Sequence, residues 1–272
     1  MLFGLLRGTQ YYLLRMPEGC NILFLGNSHT EAAINDSIIT GAFNFGRSAD
    51  RIEFLYPKLK MMKRVNPQID TVFIGLDYIL MCHSVEEEFN SVLMHPYNFP
   101  EYDKEDWLCI FSKAGSEYLE SFFSHPFSWM KMVDLIHLHH SSTASVKDCH
   151  FLGGFEKSAR NKLSVDPRKS NVVAEDSTFE RIEMNYYFVN KCIRFCLENN
   201  IELVFFCTPH HKYCPFAGYQ QQIVSDFADI PFINSVRMEL PDSCFADLDH
   251  LNAIGADIYS TYLEKEVFHP QP

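Results

Sequence analysis

The sequence predicts an α/β domain in three layers (α/β/α), with helices on both faces of a five-stranded parallel sheet. Short apolar segments alternate with segments of helical periodicity, and strands separated by helices favour a parallel sheet. The apolar segments are nearly continuous in hydrophobic residues, which is typical of strands buried on both faces. The predicted strands, in chain order, are Asn21–Gly26, Gly41–Phe45, Asp70–Gly75, Ile201–Cys207 and Pro231–Asn234.

The predicted helices lie between these strands. Apolar residues recur every three or four positions in Ala49–Val65, as an amphipathic helix requires, and Asn66-Pro67 predicts its end. Ser177–Asn199 shows the same periodicity, with Ser177 or Thr178 as its N-cap. The remaining predicted helices are Thr30–Ile39, with an earlier end at Asn35-Asp36 as the alternative, Tyr219–Phe227 and Asn252–Val267.

The whole chain, 1–272, is predicted to form a single domain with a variable insertion at about 79–176. Single α/β domains reach this length routinely. The insertion is rich in aromatic residues, His and Pro, and it lacks the clean alternation of the flanking segments. We therefore expect a helical insertion that lies over the pocket.

Composition excludes some classes of protein. The net charge is −12 and no stripe of Lys and Arg occurs, so we expect no nucleic-acid partner. The nine cysteines are dispersed, which favours reduced thiols over a disulfide framework. The apolar N-terminal stretch is interrupted by Arg7, Gln10 and Arg15, and it is too short for a transmembrane helix. The chain as given is therefore expected to be soluble and cytoplasmic.

Two short motifs near the chain ends supply the parts of a serine hydrolase. Ser28 follows the first strand in Gly26-Asn27-Ser28, and Asp247 precedes His250 by three residues. A serine needs a base to take its proton, and a histidine base needs a carboxylate to hold its tautomer. The motifs predict Ser28 as nucleophile, His250 as general base and Asp247 as its orienting carboxylate. The alternatives are an N-cap serine and a capped histidine at a helix start.

Several polar or small residues follow the predicted strands closely. Ser28, Gly46, Asp77 and Thr208 each lie within three residues of a strand end. Ligands of open parallel sheets bind beyond the carboxyl ends of the strands, so we expect these residues to converge on one site. Gly46 also permits a tight turn that would aim backbone amides at this site.

These motifs resemble those of the SGNH (GDSL-type) hydrolase family. Gly26-Asn27-Ser28 is similar to its first block, with Asn27 in place of Asp, and Asn44-Phe45-Gly46 is similar to its second. Asp247-x-x-His250, continued by Leu251-Asn252-Ala253, is similar to its last block. The resemblance implies a flavodoxin-like strand order, Gly46 as an oxyanion donor with Asn44 beside it, and no metal or organic cofactor.

The third block departs from the family pattern. In Gly75-Leu76-Asp77-Tyr78, Asp77 stands where the family has an Asn that donates to the oxyanion. An ionised carboxylate only accepts hydrogen bonds and would repel an oxyanion. Three alternatives follow: Asp77 is protonated, the amides of Ser28 and Gly46 form the oxyanion hole alone, or activity is weak or absent.

Three other features are weaker candidates. His29 is expected either to line the site or to be an exposed first-turn histidine, and Asp249 is expected to be solvated or to cap a helix. Cys207–Cys214 contains two Cys and two His, which suggests zinc. No second pair of ligands is fixed by spacing, so we favour a loop beside the active site and expect no metal.

The function that these residues predict is that of a serine-dependent esterase or acyltransferase acting on an O-acyl ester. The sequence is most similar to divergent bacterial members of the family related to cell-envelope polysaccharide O-acetylation proteins. That resemblance implies a carbohydrate ester as substrate and a location in the cell envelope. The alternatives are a catalytically impaired glycan-binding protein of the same fold, and an unrelated α/β binding domain.

Overall fold

Five parallel strands form one sheet in a computed structural model of the chain, which describes residues 14–48, 50–82, 101–112, 153–155, 157, 163–165 and 177–269. The strand order is β2-β1-β3-β4-β5, and every pairing is parallel. This is the flavodoxin-like order, so the predicted fold class is confirmed. The strands are β1 (Ile22–Leu25), β2 (Ala42–Asn44), β3 (Thr71–Gly75), β4 (Glu202–Cys207) and β5 (Phe232–Asn234).

Alternate residues of the strands face two separate hydrophobic cores. On β1, Leu23 and Leu25 belong to one core, whereas Phe24 belongs to the other. The ring of Phe24 lies 4.8 Å from that of Phe73 on β3 and 5.6 Å from that of Phe206 on β4. Burial on both faces is the reason why these strands are nearly continuous in apolar residues.

Helices cover both faces of the sheet and complete the three layers. Ile52–Val65 and Glu183–Glu198 pack over the core that contains Leu23, and Ser28–Ala33 and Ala253–Tyr262 pack over the core that contains Phe24. The helices among the described residues, in order, are α1 (Ser28–Ala33), α2 (Ile52–Val65), α3 (Tyr78–Cys82), α4 (Glu183–Glu198), α5 (Gln220–Asp226) and α6 (Ala253–Tyr262). Short 3₁₀ turns occur at Leu163–Val165, Pro215–Tyr219 and Asp242–Cys244, and a π-helical turn, Leu263–Phe268, follows α6.

Helices α1 and α4 differ from the sequence prediction at their ends, and α2 begins at Ile52 rather than at Ala49. Helix α1 begins at Ser28 and ends at Ala33, because Ile34 is extended and the next amide, that of Asn35, donates to Ser260 Oγ on α6. Helix α4 begins at Glu183 rather than near Ser177. The backbone of Phe179 is held outside the helix by two hydrogen bonds with the Gln222 side chain.

Most of the predicted insertion at about 79–176 lies outside the described residues. None of the eight cysteines that the structure describes forms a disulfide, which agrees with the predicted thiols. Within the same described ranges, no helix has both the length and the hydropathy that crossing a membrane requires.

Candidate active site

The turn after β1 places Ser28 at the carboxyl edge of the sheet. Asn27 is the N-cap of α1, and its side-chain oxygen accepts a hydrogen bond from the His29 amide at 3.0 Å. Ser28 is therefore the first residue of the helix, and its amide has no carbonyl partner within the helix. The sequence thus combines a strand end, a capping Asn and a serine in three consecutive residues.

Three glycines allow α1 to approach the sheet closely. A Cβ on Gly26 or Gly75 would lie 2.0 or 2.2 Å from Thr30 Oγ1, which is far closer than real contacts allow. A Cβ on Gly46 would lie 2.8 Å from both the Glu31 amide nitrogen and Thr30 Cβ. These glycines follow or end β1, β2 and β3, so they seat the first turn of α1 at the ends of three neighbouring strands.

Ser28, His250 and Asp247 form a continuous chain of contacts. Ser28 Oγ lies 2.8 Å from His250 Nε2, and His250 Nδ1 lies 2.9 Å from Asp247 Oδ1. The carboxylate requires a proton on Nδ1, which leaves Nε2 as an acceptor for the serine hydroxyl. The structure therefore brings together the three residues that the sequence predicts as a triad.

The loop before α6 fixes this geometry. Asp247 Oδ1 also accepts hydrogen bonds from the backbone amides of Asp249 and His250, at 3.2 and 2.9 Å. Asn252 caps α6, with its side-chain oxygen accepting from the amides of Ile254 and Gly255. The carboxylate and the imidazole are consequently held by the same short segment.

The charge state of His250 reflects opposing influences. Burial lowers its pKa, but the hydrogen bond with Asp247 and the nearby Asp249 carboxylate outweigh burial, and the net result is a pKa above the ordinary value for histidine. The positive charge of His29 acts against those two carboxylates.

His29 is buried at the centre of the site, and the expectation of an exposed first-turn histidine is wrong. Its side chain is 2% exposed, and its Nδ1 lies 2.7 Å from Asp77 Oδ2. Its ring centroid lies 4.6 Å from that of His250 and 5.1 Å from that of His210. The sequence carried one indication that His29 lies in the site, because His29 and Asp77 each follow a strand and the two strands are parallel neighbours.

Asp249 is also buried, which corrects the expectation of a solvated or capping residue. Its side chain is 3% exposed. One carboxylate oxygen lies 3.7 Å from His29 Nε2, and the other lies 3.6 Å from His250 Nδ1. Asp249 therefore lies beside both imidazole rings, with one oxygen near each.

Asp77 accepts hydrogen bonds from several donors. These are His29 Nδ1, the Leu80 amide at 2.8 Å, and Asn27 Nδ2 at 3.2 Å. Burial raises the pKa of Asp77, but the charge and hydrogen bond of His29 outweigh burial and lower it below its ordinary value. Of the alternatives left open by the sequence, a protonated Asp77 is therefore disfavoured.

Asn44 and Gly46 have structural contacts in this arrangement. Asn44 is fully buried, and its Nδ2 donates to the carbonyls of Thr30 and Ile34 at 3.1 and 2.8 Å. Its Oδ1 accepts a hydrogen bond from the Gly46 amide at 2.9 Å. Asn44 thus ties β2 to α1, and the Gly46 amide already has a protein acceptor.

The loop after β4 lies beside the site, as the sequence interpretation of Cys207–Cys214 favoured. His210 is buried against His29, and its Nδ1 lies 3.5 Å from Cys214 Sγ. Burial and the positive charge of His29 lower the pKa of His210 to about 3. His210 is therefore a neutral ring at physiological pH.

One group of potential metal-binding atoms occurs among the described residues. Atoms of His29, Asp249 and His250 lie within 4.8 Å of one another. Both ring nitrogens of His250 already contact Ser28 and Asp247. These protein contacts account for the proximity, and we assign no metal to the group.

Comparison of the sequence with models of protein families and with curated proteins gives no match. Several solved structures resemble the chain, among them the following two. A proposed acylhydrolase from Bacteroides fragilis NCTC 9343 is 11% identical, with a TM-score of 0.41, over 95% of this chain and 91% of the other. A GDSL-like lipase from Bacteroides thetaiotaomicron VPI-5482 is 10% identical, with a TM-score of 0.41, over 97% of each chain. At this level of similarity neither structure bears on activity, so the interpretation of the site depends on the side chains of this chain.

Proposed function

We propose that this protein is a serine-dependent esterase or acyltransferase that acts on an O-acyl ester. The observation that carries the proposal is the contact chain from Ser28 Oγ through the His250 ring to Asp247, at 2.8 and 2.9 Å. Nucleophile and base within hydrogen-bond distance, with the base oriented by a third group, are the signature of an activated serine.

The proposed reaction has two steps. Ser28 Oγ attacks the acyl carbonyl carbon while His250 Nε2 takes the hydroxyl proton, and Asp247 stabilises the imidazolium that forms. His250 then returns the proton to the leaving alcohol. Water or a sugar hydroxyl next gives its proton to His250 and attacks the acyl-serine, which releases Ser28 with its hydroxyl restored.

The oxyanion would be held mainly by the Ser28 amide, which lies next to the nucleophile and has no partner within the helix. The Gly46 amide is the second proposed donor, and it would have to exchange its bond with Asn44 Oδ1 for one with the oxyanion. Asp77 contributes no donor, because its oxygens accept from His29 and Leu80. Since each missing donor costs about a hundredfold or more in rate, we expect slow turnover.

A carbohydrate ester is the proposed substrate class. Directly after Asp77, the half-buried ring of Tyr78 stacks on Phe216 and Tyr219, with centroids 5.1 and 4.3 Å apart. Such aromatic rings offer an apolar surface with a polar tip, which suits the face of a sugar or its acyl group. The resemblance of the motifs to envelope O-acetylation proteins favours the same class.

The test is covalent labelling with a fluorophosphonate probe, together with hydrolysis of p-nitrophenyl acetate. We expect the intact chain to be labelled and Ser28→Ala to lose both labelling and hydrolysis. Ser225→Ala, an exposed serine on α5, is the matched control and should behave like the parent. Absence of labelling in the folded parent protein would refute a serine esterase.

A second candidate function is that of a glycan-binding protein of the same fold with little or no turnover. The observation that favours it is the incomplete set of oxyanion donors, since Asp77 is charged and the Gly46 amide is bonded to Asn44. Isothermal titration with acetylated and deacetylated oligosaccharides separates the two functions. Binding without labelling supports the second function, and labelling that depends on Ser28 supports the first.

A further inference from the structure

A second set of charged side chains lies beneath the proposed triad, and the reaction above does not use it. Asp77, His29 and Asp249 are each at most 4% exposed at the side chain. His29 lies between the two carboxylates, with Nδ1 2.7 Å from Asp77 and Nε2 3.7 Å from Asp249. Three ionisable groups are thus buried together at the edge of the sheet.

The charges of this set are mutually dependent. Buried carboxylates are unfavourable unless a cation lies close to them. Burial disfavours the His29 imidazolium, but the Asp77 carboxylate, which is hydrogen-bonded to Nδ1, and the Asp249 carboxylate near Nε2 outweigh burial and raise its pKa. On the opposite side, His210 is neutral and adds no second positive charge. His29 is consequently the imidazolium that lies between the two carboxylates and compensates one of their two negative charges.

The set reaches the proposed base through Asp249. Asp249 contacts His29 with one oxygen and His250 Nδ1 with the other, at 3.7 and 3.6 Å. The rings of His29 and His250 also meet edge to face, at 4.6 Å and 70°. His250 is therefore bounded by Asp247, Asp249, His29 and the Ser28 hydroxyl.

We propose that His29, Asp77 and Asp249 form a buried charge network that positions the His250 ring against Ser28 and balances its charge. The proposal rests on the proposed function, in which His250 is the base. His29 and Asp249 are positioning residues in it, because they act through His250. His29 adjoins the nucleophile in the first turn of α1, so the network and Ser28 are held by the same turn.

The network predicts that substitutions of Asp249 and of His29 shift the pKa of His250 in opposite directions. Asp249→Asn removes a negative charge near His250, so its pKa should fall by about one pH unit. His29→Gln removes a positive charge, so the pKa of His250 should rise by a similar amount. If these residues had a purely structural role, the pKa of His250 would shift in the same direction in both variants or would not shift in either.

The experiment is an NMR titration of the His250 ring in the protein, isotopically labelled at histidine. The His250 signals are assigned by their loss in His250→Gln, and near-ultraviolet circular dichroism checks the folding of each variant. His269→Gln is the matched control, because His269 is 68% exposed and lies outside the network. If His29→Gln does not fold, the sign and size of the shift in Asp249→Asn decide the question.

Opposite shifts in the two variants support the network, and shifts no larger than that of the control overturn it. The titration needs no turnover, so it separates this proposal from the proposed function. Shifts in a protein that the fluorophosphonate does not label would preserve the network and refute the esterase. Labelling that depends on Ser28, without any shift in the His250 pKa, would support the esterase and refute the network. The pH at which labelling reaches half its maximal rate should move in parallel with the pKa of His250.

Discussion

Ser28 Oγ and His250 Nε2 lie 2.8 Å apart although 222 positions separate the two residues in the chain. The pKa of His250 is raised, and a base must be neutral to accept a proton. We therefore expect kcat/KM for p-nitrophenyl acetate to rise with pH, with a midpoint above the ordinary histidine value of about 6.5. The measurement is the initial rate between pH 5 and 9, with hydrolysis by Ser28→Ala subtracted at each pH. A midpoint at or below about 6.5 would contradict the charge assignment at His250.

The ion pair between His29 and Asp77 predicts a pH-dependent contribution to stability. Because the pKa of His29 is raised in the folded protein, its contribution to stability is complete below about pH 6.5. This contribution is lost as the pH rises toward the raised pKa. The lowered pKa of Asp77 makes its contribution present above about pH 3.9, and it is lost at lower pH. We expect His29→Gln to reduce the free energy of unfolding by about 3–5 kcal/mol near pH 6, because it leaves buried carboxylates unpaired.

Urea unfolding of the parent and His29→Gln at pH 6 and pH 9 measures this effect. The difference between the two proteins should be smaller at pH 9, where the folded parent has lost part of the benefit of binding the His29 proton. The exposed His269→Gln should change stability by no more than about 1 kcal/mol at either pH. A difference that is the same at both pH values would show that His29 is not the imidazolium.

The sequence predicted the sheet well, and it predicted the polar interior poorly. Strand positions follow from apolar runs, and Asp247-x-x-His250 is a local motif whose contacts form within one loop. The burial of His29 and Asp249 depends on β1, β3 and the last loop meeting in space, so no local pattern indicates it. A histidine and an aspartate are ordinarily exposed residues, and only their mutual pairing makes burial acceptable.

The helix boundaries also depend on contacts that no local sequence pattern indicates. The periodicity of Ser177–Asn199 corresponds to a helix only from Glu183 onward. The predicted N-cap is wrong, because the backbone of Phe179 is hydrogen-bonded to the Gln222 side chain outside the helix. Likewise, the role predicted for Asn44 followed from its place in a motif. Its side chain instead satisfies the carbonyls at the end of α1. Long-range hydrogen bonds decide both outcomes.

Asp77→Asn tests whether the family pattern can be restored. A neutral amide at this position would provide the missing donor of the resemblance, but in this structure it would also leave the His29 cation without its nearest carboxylate, at 2.7 Å. We expect the variant to lose about 2–4 kcal/mol of stability and to label more slowly with fluorophosphonate. Asp229→Asn, at an exposed position, is the control. Faster labelling of a stable Asp77→Asn protein would show that the amide completes the oxyanion hole.

The close approach of α1 to the sheet predicts a specific rescue. A Cβ on Gly75 would lie 2.2 Å from Thr30 Oγ1, whereas its next neighbours, Phe206 and the Leu25 carbonyl, are at 3.4 and 3.6 Å. Gly75→Ala should therefore cost about 1–3 kcal/mol through overpacking, and it should slow labelling because it displaces the turn that holds Ser28. Thr30→Ala removes the clashing oxygen, so the double variant should recover most of the loss.

Gly46→Ala is the matched comparison for this rescue, because its Cβ would lie 2.8 Å from the backbone nitrogen of Glu31 as well as from Thr30. A backbone atom cannot be removed by substitution, so Thr30→Ala should rescue Gly75→Ala and leave Gly46→Ala impaired. Thermal unfolding and fluorophosphonate labelling of the single and double variants measure these effects in two double-mutant cycles, one for each glycine. Equal rescue of the two glycine variants would contradict the proposed contact between the first turn of α1 and the ends of the strands. Selective rescue would establish that the glycines place Ser28 by close packing.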